Sequence, residues 1–484
     1  LQNQKLMLTL SRAILLMASA LTVTASLAHA DVCNDGFHKR QHVAAEPSNP
    51  VVVKRPMRVV VYGVGDVIRR YVGPAIDSIK ASYGAANVQV AFVDTSEFWM
   101  GTVRQADMLA RVSKMKAEGA LYLDKSTLGA EGFRQAMRDF QPNAVFVETP
   151  DVAHIANMRE IISIFGEKNM PNVFFDKPFG ANSAEVRDFF NMISANPALK
   201  EKFRGIDHFK AMIKPGFLRL SESFLGGDPE YFHFYLVENH TPTDPKYQAP
   251  PATKDLPDAI RREGRQNALQ SGLALDLFTT HGGAQVGYFG KLESAVMTSI
   301  KAGQYENSPI PAETFGEIAF EFKSYRGNKI KGIGTYGKGI QGVQELGADF
   351  DHETFALDLR RGGKRIVANF SAGFVDLYVD GKRVQRLSDP ELLDNLPYNH
   401  ILDNTFRYVA ADQADGLAHT IDSQAALTML EMAEFVQTEV RASMREGRFP
   451  IYHLRVGDRP PTVEEIREQL AKSGLPGGNI WNHP

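Results

Sequence analysis

Two glycines set two residues apart, Gly63 and Gly65, follow the apolar run Arg58-Val59-Val60-Val61-Tyr62 and lead into Asp66-Val67-Ile68. A turn of this kind brings backbone N–H groups close to a pyrophosphate at the N-terminus of the next helix. Ile68 stands where the third glycine of that fingerprint belongs, so the pattern is incomplete. Asp94 closes a second apolar run, Val88 to Asp94. A carboxylate there accepts hydrogen bonds from a ribose diol and repels a 2′-phosphate, which favours NAD. Arg69 and Arg70 argue for NADP, because either could reach a 2′-phosphate; the balance tips slightly to NAD. His281 suits proton removal, since an unperturbed imidazole has a pKa of about 6.5. Asp276 precedes it by five residues, roughly 140° around a regular helix, which makes Asp276 a poor partner for it. Asp207 and His208 are neighbours whose side chains point to opposite sides of an extended segment, so each needs its own task.

The elements that must position these residues change character along the chain. Arg58 to Gly63, Val88 to Asp94, Ala144 to Val147 and Val173 to Phe175 are short apolar strands separated by helical stretches, the first of which reaches about Tyr83. That alternation predicts a parallel sheet with helices on both faces. Tyr231 to Val237, Glu317 to Phe322, Lys329 to Thr335, Thr354 to Leu359, Arg365 to Phe370 and Phe374 to Val379 follow as a second set of strands. Asp380-Gly381 adds a hairpin signal after the last of them. A mostly antiparallel sheet is expected there, with helices over Asn404 to Ala410 and Ser423 to Met444. The predicted organisation is a Rossmann domain over 57–204, a second α/β domain over 205–446 and a surface tail over 447–484.

Length and composition agree with two soluble globular domains: 484 residues, 43% hydrophobic and 23% charged. A net charge of -3 offers no basic field for nucleic acid. The single cysteine, Cys33, excludes a disulfide framework and a Cys-rich metal site, and no H-E-x-x-H spacing occurs, so no metal is expected. Lys5 and Arg12 flank an apolar run from Ala13 to Leu27, followed by Ala28-His29-Ala30. This pattern predicts a cleaved export signal over 1–30 and a linker over 31–56.

Several segments, in order, resemble one superfamily. Gly65 to Ile76 is similar to the segment after the glycine turn of glucose-6-phosphate dehydrogenases. Thr149-Pro150-Asp-Val-Ala-His154 resembles the Thr-Pro-x-x-x-His step of Gfo/Idh/MocA oxidoreductases, and Asp176-Lys177-Pro178-Phe179-Gly180 resembles their Glu-Lys-Pro-Phe-Gly motif. Gly205-Ile-Asp207-His208-Phe209, Asp276 to His281, Glu313-Thr314-Phe315 and Gly337-Lys338 resemble further segments of the glucose-6-phosphate dehydrogenase-like branch.

The resemblance implies an NAD(P)-dependent dehydrogenase of a sugar or sugar phosphate. It assigns His281 as base, Asp207 as the carboxylate that orients it, and Lys177 as a lysine between nicotinamide and sugar, with a Lys-Pro bond that is often cis. It puts the cofactor on Gly63, Gly65, Asp66, Val67, Arg70, Asp94, Thr149, Pro150 and Lys177. It puts the substrate on His208, Lys210, Glu238, Asp276 and Lys338, and implies association of copies through the second sheet. Two departures remove phosphate-binding charge: Met212 replaces a family lysine, and Thr335 an arginine. They leave room for an unphosphorylated sugar, another polyol or an acid. The export signal adds two alternatives. One is a sugar-binding protein that kept the fold and lost catalysis, which Ile68 favours and Lys177, Asp207 and His281 oppose. The other is a lumenal hexose-6-phosphate dehydrogenase.

Overall fold

The computed structural model describes residues 51–472 except Asp66, Val103, Asn395, Ala418 and the segments 181–182, 239–280, 306–314, 447–450 and 453–458. The expected export signal, most of the linker, Asp66 and Asp276 therefore lie outside the described residues.

Six strands run in chain order: β1 Met57–Tyr62, β2 Val88–Asp94, β3 Leu121–Asp124, β4 Ala144–Val147, β5 Asn172–Phe175 and β6 Phe203–Ile206. Ten more follow: β7 Tyr231–Glu238, β8 Gly290–Tyr305, β9 Phe315–Ser324, β10 Lys329–Lys338, β11 Thr354–Arg361, β12 Lys364–Asn369, β13 Phe374–Val379, β14 Lys382–Leu387, β15 Thr420–Ile421 and β16 Ile451–Tyr452. The first sheet has the order β15-β6-β5-β4-β1-β2-β3. Its first six strands are parallel, and only β15 runs antiparallel, against β6. All four residues of β4 are buried, as a strand covered by helices on both faces requires. The order reverses between β1 and β4, which opens a crevice at the carboxyl ends of these strands.

The second sheet has the order β14-β13-β12-β11-β7-β10-β9-β8-β16 and is mostly antiparallel. Two pairs depart from that pattern: β7 lies parallel to β10, and β16 parallel to β8. Strand β7 is also buried along nearly its whole length, rather than on alternate residues, because it is central in a sheet covered on both faces. The chain after residue 446 is more than a surface tail. Ile451–Tyr452 extends the sheet, and the helix Val463–Lys472 buries Val463, Ile466 and Leu470 against Tyr235 and Val237.

The first sheet runs past residue 204, through Ile206, and takes helices from late in the chain. The helix Pro397–Ala411 places Tyr398, Ile401, Leu402, Phe406, Val409 and Ala410 in one apolar cluster with Val59, Val61 and Phe92 of β1 and β2. The helix Ser423–Arg445 packs on the opposite side, with Met429 and Ala433 in the cluster that holds Phe175 and Phe189.

Candidate active site

Gly63 leaves β1 with φ 101°, and a side chain there would bring a Cβ to 3.0 Å from the Glu148 carbonyl at the end of β4. The loop and strand thus pass as closely as only glycine allows. A Cβ built on Gly65 meets no atom within 4 Å, so space is open above the turn. Ile68 is buried in the core, and the helix around it begins as a π-helical turn, Ile68–Val72, before becoming α-helical at Gly73–Tyr83. The wider turn accommodates the side chain that replaces the third glycine. Val67 starts this helix; Arg69 and Arg70 lie exposed on its first turn.

Asp94 ends β2 and accepts a 2.7 Å bond from the Thr95 N–H. Burial pushes its pKa up and the negative charge of Asp124 adds to that, while the Thr95 and Val64 N–H groups oppose both. Asp124 stands beside it in register at the end of β3. It accepts bonds from the Ser96 N–H and hydroxyl, the Ser126 N–H and the Thr127 hydroxyl. Burial raises its pKa, but these bonds prevail and hold it below the usual value. Asp124 is absent from the candidates read from the sequence, although Asp-x-Ser-Thr at a strand end is an N-cap signal.

The ends of β4 and β5 carry the Thr-Pro and Lys-Pro steps. Thr149 accepts a 3.0 Å bond from the Asn157 amide, and exposed Pro150 caps the helix Asp151–Phe165. The bond between Lys177 and Pro178 is cis. The Lys177 N–H donates to Asp176 Oδ1 at 2.8 Å, and its ammonium acts electrostatically on both Asp176 and Asp207.

Asp207 follows β6 with extended backbone, while His208 opens the helix His208–Met212. One carboxylate oxygen, Oδ1, caps that helix, accepting from the Phe209 N–H at 2.8 Å and the Lys210 N–H at 3.3 Å. The other, Oδ2, lies 2.7 Å from His281 Nδ1 in a bent approach. Both side chains are buried. Burial would raise the pKa of Asp207; His281, then His208 and Lys177, outweigh it and bring it to about 2. The His281 ring packs edge-on against Phe209 at 4.1 Å and His208 at 4.8 Å. Tyr398, which the sequence analysis also overlooked, stacks on Tyr71 at 5.5 Å and on His208 at 6.4 Å, and donates to Asp176 Oδ2 at 3.1 Å.

The remaining substrate candidates fare differently. Lys210 is corrected to a structural role: its buried ammonium donates to the Thr420 carbonyl at 2.9 Å, tying the Asp207 helix to β15. Lys214 is held by Asp394 at 3.1 Å and His400 at 3.2 Å. Glu238 and Lys338 pair with each other at 3.3 Å where β7 and β10 end. Met212 packs against the core, and Thr335 is buried between His233 and Glu317 within the second sheet.

No protein-family model and no curated protein matches the sequence. Solved structures do match. A glucose-6-phosphate dehydrogenase in complex with glucose-6-phosphate superimposes with a TM-score of 0.56 at 11% identity, covering 88% of this chain and 99% of that one. An oxidoreductase from Thermotoga maritima gives 0.53 at 14% identity, covering 79% and 96%. Glucose-6-phosphate 1-dehydrogenase from Mycobacterium avium gives 0.52 at 15% identity, covering 86% and 96%. The chain thus shares the fold of these oxidoreductase and glucose-6-phosphate dehydrogenase structures, a Rossmann-type parallel sheet followed by a mostly antiparallel one.

Proposed function

We propose that the protein is a nicotinamide-dependent oxidoreductase that oxidises a hydroxyl of an unphosphorylated sugar or related polyol, with His281 as base and Asp207 as its orienting partner. The observation that carries the proposal is the 2.7 Å approach of His281 Nδ1 to Asp207 Oδ2 at the carboxyl end of a Rossmann sheet, next to Lys177. A nicotinamide cofactor suits the residues present. Gly63 permits the close backbone approach, Gly65 leaves the space above it open, and Asp94 ends the strand where a ribose diol is read. When bound, the cofactor supplies a hydride acceptor.

The protein's own side chains supply the rest. A proton on His281 Nδ1 faces Asp207, which leaves Nε2 as the acceptor for a substrate hydroxyl proton, and the carboxylate stabilises the imidazolium that forms. Lys177, which acts electrostatically on Asp207, and His208, whose ring packs against that of His281, can bind neighbouring hydroxyls. Phosphate is disfavoured as a substrate group because Met212 and Thr335 carry no charge and both lysines near the Asp207 helix are already engaged. Asp94 ends β2 at the ribose position with Asp124 beside it in register, and their negative charge favours NAD over a cofactor bearing a 2′-phosphate.

The experiment is a panel of sugars, polyols and their phosphates with NAD and NADP, followed by the absorbance of the reduced nicotinamide. Turnover of an unphosphorylated substrate with NAD supports the proposal; turnover of sugar phosphates alone refutes its substrate class. The proposal also places the mature protein outside the cytoplasm, on the strength of the Ala13 to Leu27 run and Ala28-His29-Ala30, which N-terminal sequencing of the secreted product tests. Copies would associate through the second sheet, which the mass in solution tests.

A further inference from the structure

Three acidic residues occupy equivalent places in the first sheet. Glu148, Asp176 and Asp207 each come immediately after the last residue of β4, β5 and β6, three adjacent parallel strands. Only Asp207 belongs to the proposed base. Val147 and Phe175 are partners in register, so Glu148 and Asp176 stand side by side.

Asp176 is well supplied with donors: the Lys177 N–H at 2.8 Å on Oδ1 and the Tyr398 hydroxyl at 3.1 Å on Oδ2. Glu148 is not. It is only 9% exposed, and among the described residues neither of its oxygens receives a hydrogen bond. Its carboxyl group instead lies beside that of Asp176, at the same register position one strand away, close enough for each to act on the other. Two carboxylates in contact in a buried site do not both ionise; one proton between them turns repulsion into a hydrogen bond. The pKa of Glu148 is raised by burial and then by the charge of Asp176. That of Asp176 is raised by burial, against the lowering effect of Lys177 and His154, with Asp207 adding to the rise.

The groups facing the pair come from every neighbouring element: Lys177 after β5, Asp207 after β6, His154 on the helix Asp151–Phe165 and Tyr398 on the helix Pro397–Ala411. His154 is fixed between the Thr149 carbonyl at 2.6 Å and the Pro178 carbonyl at 2.9 Å, and burial lowers its pKa. The pair's place in the strand order is as telling as its chemistry. Gly63 follows β1, while Asp207 follows β6, three strands away, or about 14 Å at about 4.8 Å per strand. A cofactor anchored at Gly63 that serves His281 must cross β4 and β5, the two strands that carry the pair.

We propose that Glu148 and Asp176 share one proton in the free protein and release it to solvent when an oxidised nicotinamide is bound, so that the pair favours the oxidised over the reduced cofactor. This inference rests on the nicotinamide assignment above. The oxidised ring carries a positive charge and the reduced ring does not. The free pair carries one negative charge; beside a cation its second ionisation is favoured, and the charges become two negative against one positive, with one proton leaving. Beside the neutral reduced ring the proton stays. Glu148 and Asp176 are therefore positioning residues for the cofactor, not participants in the hydride transfer.

The test is calorimetric titration of the intact protein with NAD and NADH, and with NADP and NADPH, in buffers of different ionisation enthalpy across a pH series. The expected result is release of up to one proton with the oxidised forms and none with the reduced forms. Affinity for the oxidised form should rise with pH by up to about tenfold per unit within the titration window, while affinity for the reduced form stays level. In Glu148→Gln, and separately in Asp176→Asn, the release and the pH slope should both disappear. Binding of both forms without release by the wild type overturns the inference and leaves the cofactor assignment standing. Release of undiminished size in Glu148→Gln assigns the proton to another group, such as His281, and also overturns it. Failure of every dinucleotide to bind the wild type overturns the cofactor assignment, and this inference with it.

Discussion

Replacing Asp207 by Asn isolates the charge that faces His281. Asparagine caps helices about as well as aspartate, so the bonds from the Phe209 and Lys210 N–H groups can persist through the amide oxygen. What disappears is the negative charge beside His281, His208 and Lys177. In the folded protein these neighbours, His281 above all, bring the Asp207 pKa to about 2 from the ordinary 3.8. At about 1.36 kcal/mol for each tenfold change, that lowering corresponds to roughly 2 kcal/mol. The pKa is depressed on folding, so the stabilisation is present above the unfolded value and fades as pH falls through the folded one. The wild type should exceed Asp207→Asn in stability by roughly 2 kcal/mol at pH 7, by about half of that near pH 3, and by little near pH 2. Urea unfolding of both proteins over this range measures the difference. A gap below about 0.5 kcal/mol at pH 7, or one that does not shrink on acidification, would refute the argument that Asp207 is held ionised by His281 and its neighbours.

Three other outcomes follow from the site. His281→Asn should lower turnover by about 10²–10⁴ with cofactor affinity little changed, and Asp207→Asn should cost less; near-normal turnover in His281→Asn would make Lys177 the base. Asp94→Ala should weaken NAD binding by about 1.5–3 kcal/mol and shift preference towards NADP, as dissociation constants for both cofactors would show; unchanged NAD affinity would give the ribose to other residues. Ile68→Gly restores the missing fingerprint glycine but empties a buried position, so it should destabilise the protein by about 2–5 kcal/mol in thermal or urea unfolding, and a gain in stability would contradict the packing described.

The parts of the fold that could be read from the sequence are those whose burial leaves a mark on residue type. Strands β1, β2, β4 and β5 are buried on both faces and stand out as apolar runs. Strand β3 escapes notice because it is a four-residue edge strand with Leu121 exposed. Strand β8 is interrupted by register shifts between Lys291 and Val296 and between Met297 and Ser299, which break its alternation. At the site, Lys177, Asp207 and His281 could be named because each sits in a recognisable motif. Glu148 and Tyr398 could not, since their importance comes from strand register and from a helix that returns from far along the chain. Lys210 shows the opposite failure. It lies beside the right motif, and only the packing of β15 against β6 reveals where its ammonium goes.

The helix Pro397–Ala411 has a consequence for biogenesis. A ribosome or a translocation pore delivers β1 to β6 long before Tyr398, Ile401, Leu402 and Phe406 emerge, yet those side chains close the apolar face that β1 and β2 present. The half with the parallel sheet cannot complete its core as a nascent fragment, and contacts of such sequence separation form late and slow folding. Excising residues 57–206 as a portable cofactor module would uncover that face and invite aggregation. Were the chain exported, as proposed above, the same delay would be an advantage: a polypeptide whose first half cannot close until the helix Pro397–Ala411 arrives stays loose enough to be threaded.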